Sequence, residues 1–294
     1  MTAPGLARAV VLGAGGGFGR CFLRLISEAG TSVLGVDGQQ CSEGDRWLVA
    51  DAVHPPPELV TELTRCDLVV LCLPERALFP ALVPVLTALQ PGTLVVDISS
   101  VKTLYASAAS TLRDDLELCS LEPMFAPDVG FAGQDLLVAR LRAGPRTEAF
   151  VRLLRGSGAD VSLVSADCID QQAAVSQVAA HAVVLAYGDA LGQLGFDPDG
   201  PTTALQRVLL TMVARVCTRD PDVYWHIQHD NPYATRARQV VADSLRALAV
   251  QVESGDQRAF TDAVRAAAET LGPALHPYAE HSAAVVAAAT KGPR

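Results

Sequence analysis

A glycine cluster set between two short apolar runs constrains this chain more than any other feature. Ala9-Val10-Val11-Leu12 leads into Gly13-Ala14-Gly15-Gly16-Gly17-Phe18-Gly19. A helical pattern continues through Phe22, Leu23, Leu25 and Ile26, and a second apolar run, Val33-Leu34-Gly35-Val36, closes on Asp37. Strand, tight turn, helix, strand, acid is the order of a dinucleotide-binding unit. Glycines let the backbone approach a pyrophosphate, and the amino end of the helix offers N–H groups and the positive end of its dipole. Asp37 stands where a carboxylate would accept from a ribose 2′-hydroxyl. The spacing departs from G-x-G-x-x-G. Gly13, Gly15 and Gly19 are one residue too long, and reading from position 14 puts Ala14 at the first glycine. The flanking strands and helix, more than the glycines, therefore carry the expectation of a cofactor site at Gly13, Gly15, Gly16, Phe18, Gly19 and Asp37. Gly38, Gln39 and Gln40 follow Asp37 with no arginine or lysine to meet a 2′-phosphate, so NAD is expected over NADP. A glycine-rich turn that binds nothing is the alternative.

The pattern repeats downstream. Buried-type strands are expected at residues 67–73 and 93–98, because continuous apolar runs suit a parallel sheet covered on both faces. Further strands are expected at 47–51, 116–121, 135–139 and 160–164, with helices at 58–64, 78–89, 103–112 and 148–157 between them. Alternation of this kind argues for an α/β fold, a Rossmann-type doubly wound and mostly parallel sheet over residues 1–165. Ligands of such sheets lie beyond the carboxyl ends of the strands. Leu73, Pro74 and Ser99 follow two of those ends and are expected beside the cofactor, with Ser100 and Lys102 next to them. After Ser165 the apolar spacing is helical throughout, with helices expected near 173–194, 203–217, 224–227, 235–254, 257–271 and 278–290. Residues 166–294 are expected to form an all-helical domain. Alanine-rich helices of this kind often pack against a twin chain, so a homodimer is expected, with a monomeric bundle as the alternative.

Composition narrows the partners. Half of the 294 residues are hydrophobic, enough for a sizeable core, and the net charge of −9 argues against nucleic acid, which demands a basic face. No apolar run is expected to reach the length needed to span a bilayer, no basic amphipathic helix is evident and the start of the chain lacks a signal-like core; a cytoplasmic protein without a membrane partner is expected. The seven cysteines are scattered without a C-x-x-C pair, which fits thiols in a reducing compartment; no metal is expected. Only Lys102 and Lys291 are lysines while arginine is plentiful, so a lone internal lysine points to a place where a compact ammonium matters.

Asp97-Ile98-Ser99-Ser100-Val101-Lys102 and Glu122-Pro123-Met124-Phe125-Ala126-Pro127-Asp128 resemble segments of the prephenate dehydrogenase family. The likeness runs on through Gly133-Gln134, Ser165-Ala166, Asp170-Gln171, Gln177, His181, Ala186-Tyr187-Gly188, Arg215, Asp220-Pro221, Glu253-Ser254-Gly255-Asp256 and Ala259-Phe260, in order over nearly the whole chain. The resemblance implies a Rossmann domain binding NAD(P) and a helical dimerisation domain. The reaction it implies moves a hydride from ring C4 of a cyclohexadienyl dicarboxylate to nicotinamide, with loss of CO₂ and aromatisation. It also implies that His181 and Arg215 grip substrate carboxylates, with Gln177 nearby. Arg207, about two helical turns before Arg215, is expected to support it. Ser100 and Lys102 would line the site. Without the resemblance, His181 reads as a satisfied polar residue between helices, Arg215 as an ion-pair partner and Lys102 as a charge at a helix start.

One departure matters. Where the family carries a histidine ahead of the Pro-Met-Phe turn, to assist loss of the 4-hydroxyl proton, this chain has Glu122. The protein could be inactive, could use a carboxylate as base on prephenate or arogenate, or could act on a substrate that differs at C4. An amine there is largely an ammonium in water, and a carboxylate is its natural partner. That favours 4-amino-4-deoxyprephenate, giving 4-aminophenylpyruvate, an activity the family contains in specialised antibiotic metabolism. A second departure, Ile169 where relatives commonly have histidine, has no mechanism attached. A different oxidoreductase of similar build and a nucleotide-binding relative without catalysis are the remaining alternatives.

Overall fold

The computed structural model describes residues 5–40 and 46–290; Cys41 and Lys291 lie outside them. The chain divides into two compact units, one ending at Gln172 and the other starting at Ala173.

The first unit is an eight-stranded sheet. Its strands are β1 (Arg8–Leu12), β2 (Ser32–Asp37), β3 (Trp47–Val49), β4 (Leu68–Leu71), β5 (Leu94–Asp97), β6 (Glu117–Pro123), β7 (Asp135–Arg142) and β8 (Asp160–Leu163). They lie in the order β3-β2-β1-β4-β5-β6-β7-β8. The first six pair in parallel, β7 runs antiparallel to β6, and β8 follows β7 in parallel. The doubly wound order reverses beside β1, which puts the glycine turn at the switch point where such sheets bind ligands. Helices α1 (Gly17–Glu28), α2 (Pro57–Leu63), α3 (Glu75–Ala88), α4 (Lys102–Leu112) and α5 (Pro145–Gly156) connect the strands. Burial explains the strand composition: β4 and β5 are buried along their whole length, with Leu68 and Val70 in one apolar cluster and Val69 and Leu71 in the other. A side-chain period of two sends neighbours to opposite faces, so a strand covered on both faces must be apolar throughout.

Helix α6 (Ala166–Ala173) follows, and the expected boundary at 165/166 falls at its start. The division comes a helix later because α6 is tied into the first unit through Asp170. The second unit contains a π-helical turn (Ala174–Ala179), then α7 (Ala180–Gln193), α8 (Ala204–Cys217), α9 (Pro221–His229), α10 (Ala234–Glu253), α11 (Gln257–Leu271) and α12 (Leu275–Thr290), with no strand among its described residues. Its buried cluster is small: Ala174, Val178, Ile227 and Ala234. The expected single helix over 173–194 is interrupted at its start by the π turn, which apolar spacing does not reveal.

One helical stretch, Ala166–Gln193, is long and apolar enough to cross a membrane by length and composition, and 11% of its apolar window is buried. The expectation that no stretch would qualify counted uninterrupted apolar residues. This stretch qualifies because from Ala173 onward Asp189 is its one Asp, Glu, Lys or Arg, although Gln177 and His181 interrupt the apolar run.

Candidate active site and cofactor pocket

The glycine turn resolves its irregular spacing in the backbone. Gly13 sits at φ +77°, a left-handed conformation that favours glycine, and a Cβ there would collide with the Cys72 carbonyl. The Gly13 and Ala14 N–H groups both donate to the Val36 carbonyl, at 2.9 and 3.0 Å. Gly19 packs on the Gly13 carbonyl and on Ala14, leaving no room for a side chain. Gly13 therefore does the work of the motif's first glycine, and the extra residue is taken up by Ala14, which is fully buried. Gly16 precedes α1, and no side chain caps that amino end. Gly15 N–H donates to Asp37 Oδ2 at 2.9 Å.

Beside the turn lies a cleft of about 330 Å³ lined by Gly13, Gly16, Asp37, Asp51, Leu73 and Pro74, among others. A tight backbone, an open amino end and an acid at the end of β2 fit the ribose and pyrophosphate of a dinucleotide. Asp51 adds a second carboxylate, held below the usual carboxylate range by the Val53 N–H and by His54. Two acids at one wall oppose a 2′-phosphate. Asp51 went unnoticed in the sequence, where an acid after a three-residue strand carries no signal.

The ends of β5 and β6 hold a buried polar cluster. Asp97 is fully buried and accepts from Ser99 N–H (2.9 Å), Ser99 Oγ (2.9 Å) and Ser120 Oγ (2.8 Å). Burial pushes its carboxyl up, while the nearby Lys102 ammonium and these donors pull it down. The Ser100 N–H donates to Glu75 Oε1 at 2.9 Å. Lys102 Nζ donates to the Ser99 carbonyl and forms an ion pair with Glu122 Oε2 at 2.9 Å. Asp170, also fully buried, caps α4 from a distance: it accepts from Lys102 N–H (2.8 Å), Thr103 N–H (3.0 Å) and Thr103 Oγ1 (2.5 Å). Val101, the residue at the helix start, offers no side-chain cap of its own.

The Met-Phe turn brings Glu122 to the cofactor side of the sheet. Phe125 meets Phe18 of α1 edge-on with ring centroids 5.9 Å apart, and the Cys21 thiol donates to the Pro127 carbonyl at 2.9 Å. The glycine turn and Glu122 thus share the carboxyl end of the sheet, as the strand assignments require. Two expectations change. Lys102 has no exposed surface, so it stands behind Glu122 instead of lining an open site. Ser99 is almost fully buried with its hydroxyl committed to Asp97. Glu75, Asp97 and Ser120 were not singled out by sequence; an acid closing the apolar strand β5 was the available signal.

In the helical unit, His181 is half-buried, its ring edge-on to Tyr224 with centroids 4.9 Å apart. Its Nδ1 is buried without a hydrogen-bond partner, and burial lowers its pKa, favouring the neutral imidazole. Gln177 lies in the π turn. Arg207 donates through Nε to Thr202 Oγ1 at 2.8 Å and lines a cavity of about 890 Å³ with Met212 and Val285. Arg215 is exposed and absent from that lining. Eight residues overshoot two α-helical turns by about 80°, which is why the two arginines do not share a face as expected.

Residues 24–140 match the nucleotide-binding domain of prephenate dehydrogenase. The chain is 35% identical over 260 residues to a 4-amino-4-deoxyprephenate dehydrogenase of Streptomyces pristinaespiralis, an alignment covering 86% of this chain and 87% of the relative. It is 20% identical over 270 residues to a probable arogenate/prephenate dehydrogenase of Methanocaldococcus jannaschii, covering 89% of this chain and 60% of the relative. Among solved structures, the fold is similar to prephenate dehydrogenase from Aquifex aeolicus in complex with hydroxyphenyl propionate and NAD+ (TM-score 0.73, 17% identity, 90% of this chain and 98% of that one).

Proposed function

The chain belongs to the prephenate dehydrogenase family and is an NAD-dependent dehydrogenase, and we propose that its substrate is 4-amino-4-deoxyprephenate, oxidised and decarboxylated to 4-aminophenylpyruvate for specialised, antibiotic-type metabolism. The observation that carries the reading is Glu122, buried at the end of β6 beside the turn that packs on α1. The 35% identity to a relative of that name supports it.

Gly13, Gly15, Gly16, Phe18, Gly19 and Asp37 hold NAD, with Leu73 and Pro74 closing the cleft and Ser99 shaping its edge from beneath. When bound, the nicotinamide supplies the acceptor for the hydride lost from C4. Glu122 accepts from the C4 ammonium, a charge-assisted bond in which both partners are ionised, whereas a hydroxyl there would bring no charge of its own. Moving a proton from that nitrogen to the Glu122 carboxylate frees the lone pair that drives oxidation at C4. Ser100, whose backbone is fixed on Glu75, faces the reacting ring. Lys102 anchors Glu122 from behind. His181, favoured neutral, offers a carboxylate an N–H donor; Arg215 supplies the positive charge, with Gln177 and Arg207 as further polar groups. The Lys102 pair modifies the argument made from sequence: Glu122 is not an uncommitted anion, so its attraction for a cation is reduced. That same pair favours the second reading, a 4-hydroxyl substrate as in prephenate or arogenate.

Two copies of the helical unit complete the assembly. Exposed Leu245, Leu248 and Val252 fall at i, i+3 and i+7 of α10, one apolar stripe on the surface of the chain, and α11 buries none of its residues. A second copy laid on these helices accounts for the stripe. A pyridine nucleotide as co-substrate fits a cytoplasmic enzyme.

Steady-state kinetics with NAD and each acid test the substrate. A kcat/KM for the 4-amino acid at least tenfold above that for prephenate is expected, and Glu122→His should shift the ratio towards prephenate. A wild-type preference for prephenate refutes the assignment of nitrogen at C4.

A further inference from the structure

The helical unit opens with the π turn, Ala174–Ala179, directly ahead of His181. A π turn closes i→i+5 bonds, takes in one extra residue and rotates everything beyond it by about 100°. Such turns are rare and occur frequently at functional sites, which makes the groups bonded to this one informative. Here the bonded group comes from α9. Gln228 Nε2 donates to the Val178 carbonyl inside the π turn at 2.8 Å. Arg238 of α10 in turn donates through Nη1 to the Gln228 carbonyl and to Gln228 Oε1, the latter at 3.2 Å. That contact fixes which way the amide faces: its oxygen is taken by Arg238, so its NH₂ is left for Val178. Tyr224, one turn earlier on α9, meets the His181 ring, and Ile227 packs with Ala174 and Val178. One short helix therefore grips both the irregular turn and the histidine that follows it.

We propose that Gln228, oriented by Arg238, is a positioning residue: it locks the π turn and so sets the direction in which His181 presents its polar atoms to the substrate. The proposal rests on the reading that His181 contacts the substrate. Without the amide, the Val178 carbonyl loses its donor, the segment relaxes towards regular α-helix, and His181 rotates off its target while the glycine turn is untouched.

The test is a double-mutant cycle in the full-length enzyme. Gln228→Met keeps length and removes the amide; it should raise substrate KM roughly five- to tenfold, the worth of one hydrogen bond, with kcat and the KM for NAD within about threefold. Arg238→Met, which releases the amide without deleting it, should give a smaller rise in the same constant. In a His181→Ala background, Gln228→Met should add nothing. Losses that multiply, or that fall equally on the KM for NAD, overturn the proposal. The His181 ring resonances in a ¹H–¹⁵N NMR spectrum give a readout free of turnover: they should move in Gln228→Met, and if they stay in place Gln228 does not position the ring, whatever the substrate. If His181→Ala alone leaves substrate KM unchanged, the role given to His181 fails instead.

Discussion

Lys102 is one of two lysines in a chain that otherwise uses arginine, and the fold shows why the compact ammonium is needed. The Lys102 ammonium sits between the Ser99 carbonyl and Glu122 at a position with no exposed surface, where a compact point charge needs less room than a planar guanidinium. A buried pair of this kind is costly to break from one side, because the remaining charge stays desolvated. Lys102→Met should therefore lower unfolding free energy by about 3–5 kcal/mol, measured by urea denaturation, and Lys102→Met combined with Glu122→Gln should recover a large part of the loss. An equal loss in the double variant would mean that packing, not charge, sets the cost. His181 yields a pH prediction. Its folded pKa lies below the unfolded value of about 6.5, so the unfolded chain binds more protons and stability falls as pH drops from above 6.5 through the folded pKa. His181→Phe should remove that part of the acid sensitivity between about pH 7 and pH 5, leaving the carboxylate contribution at lower pH.

At the scale of the element, two helix starts are built by distant parts of the chain. The amino end of α1 stays without a side-chain cap because Gly16, at the cap position, has no side chain, and Gly13 turns the backbone ahead of it against the Cys72 carbonyl. Gly13→Ala meets both the positive φ and that carbonyl; calorimetric titration with NAD should show binding weakened by more than tenfold. The amino end of α4 is instead capped by Asp170, which lies on α6. Asp170→Ala removes three hydrogen bonds to a buried carboxylate and should cost roughly 2–3 kcal/mol in a denaturation experiment. Asp170→Asn keeps an acceptor and should cost less. Because α4 begins at Lys102, the alanine variant should also lower kcat/KM by displacing the Lys102–Glu122 pair. Normal activity in that variant would separate the cap from the site.

For the whole molecule, the exposed stripe on α10 makes a definite demand. Leu245 is 67% exposed, and a charge there should abolish pairing of the chain with a second copy. Sedimentation equilibrium of Leu245→Glu should give a monomer where the unaltered chain gives a dimer; a monomer for both would leave the stripe without its proposed cover. What was legible in the chain beforehand was everything with a local period: the glycine turn, the buried strands, the alternation of strand and helix, and the change to helical spacing after Ser165. Those signals survive in one dimension because hydrogen-bonding pattern and side-chain period are properties of neighbouring residues. Even the antiparallel turn of β7 and the π turn escaped, since spacing does not encode strand direction or one extra residue in a helix. Only the tertiary structure decided that Glu122 is paired with Lys102, that Asp170 caps α4 and that Gln228 holds the Val178 carbonyl. Each of these joins groups far apart along the chain, and a buried charge or carbonyl takes whichever partner the packing delivers.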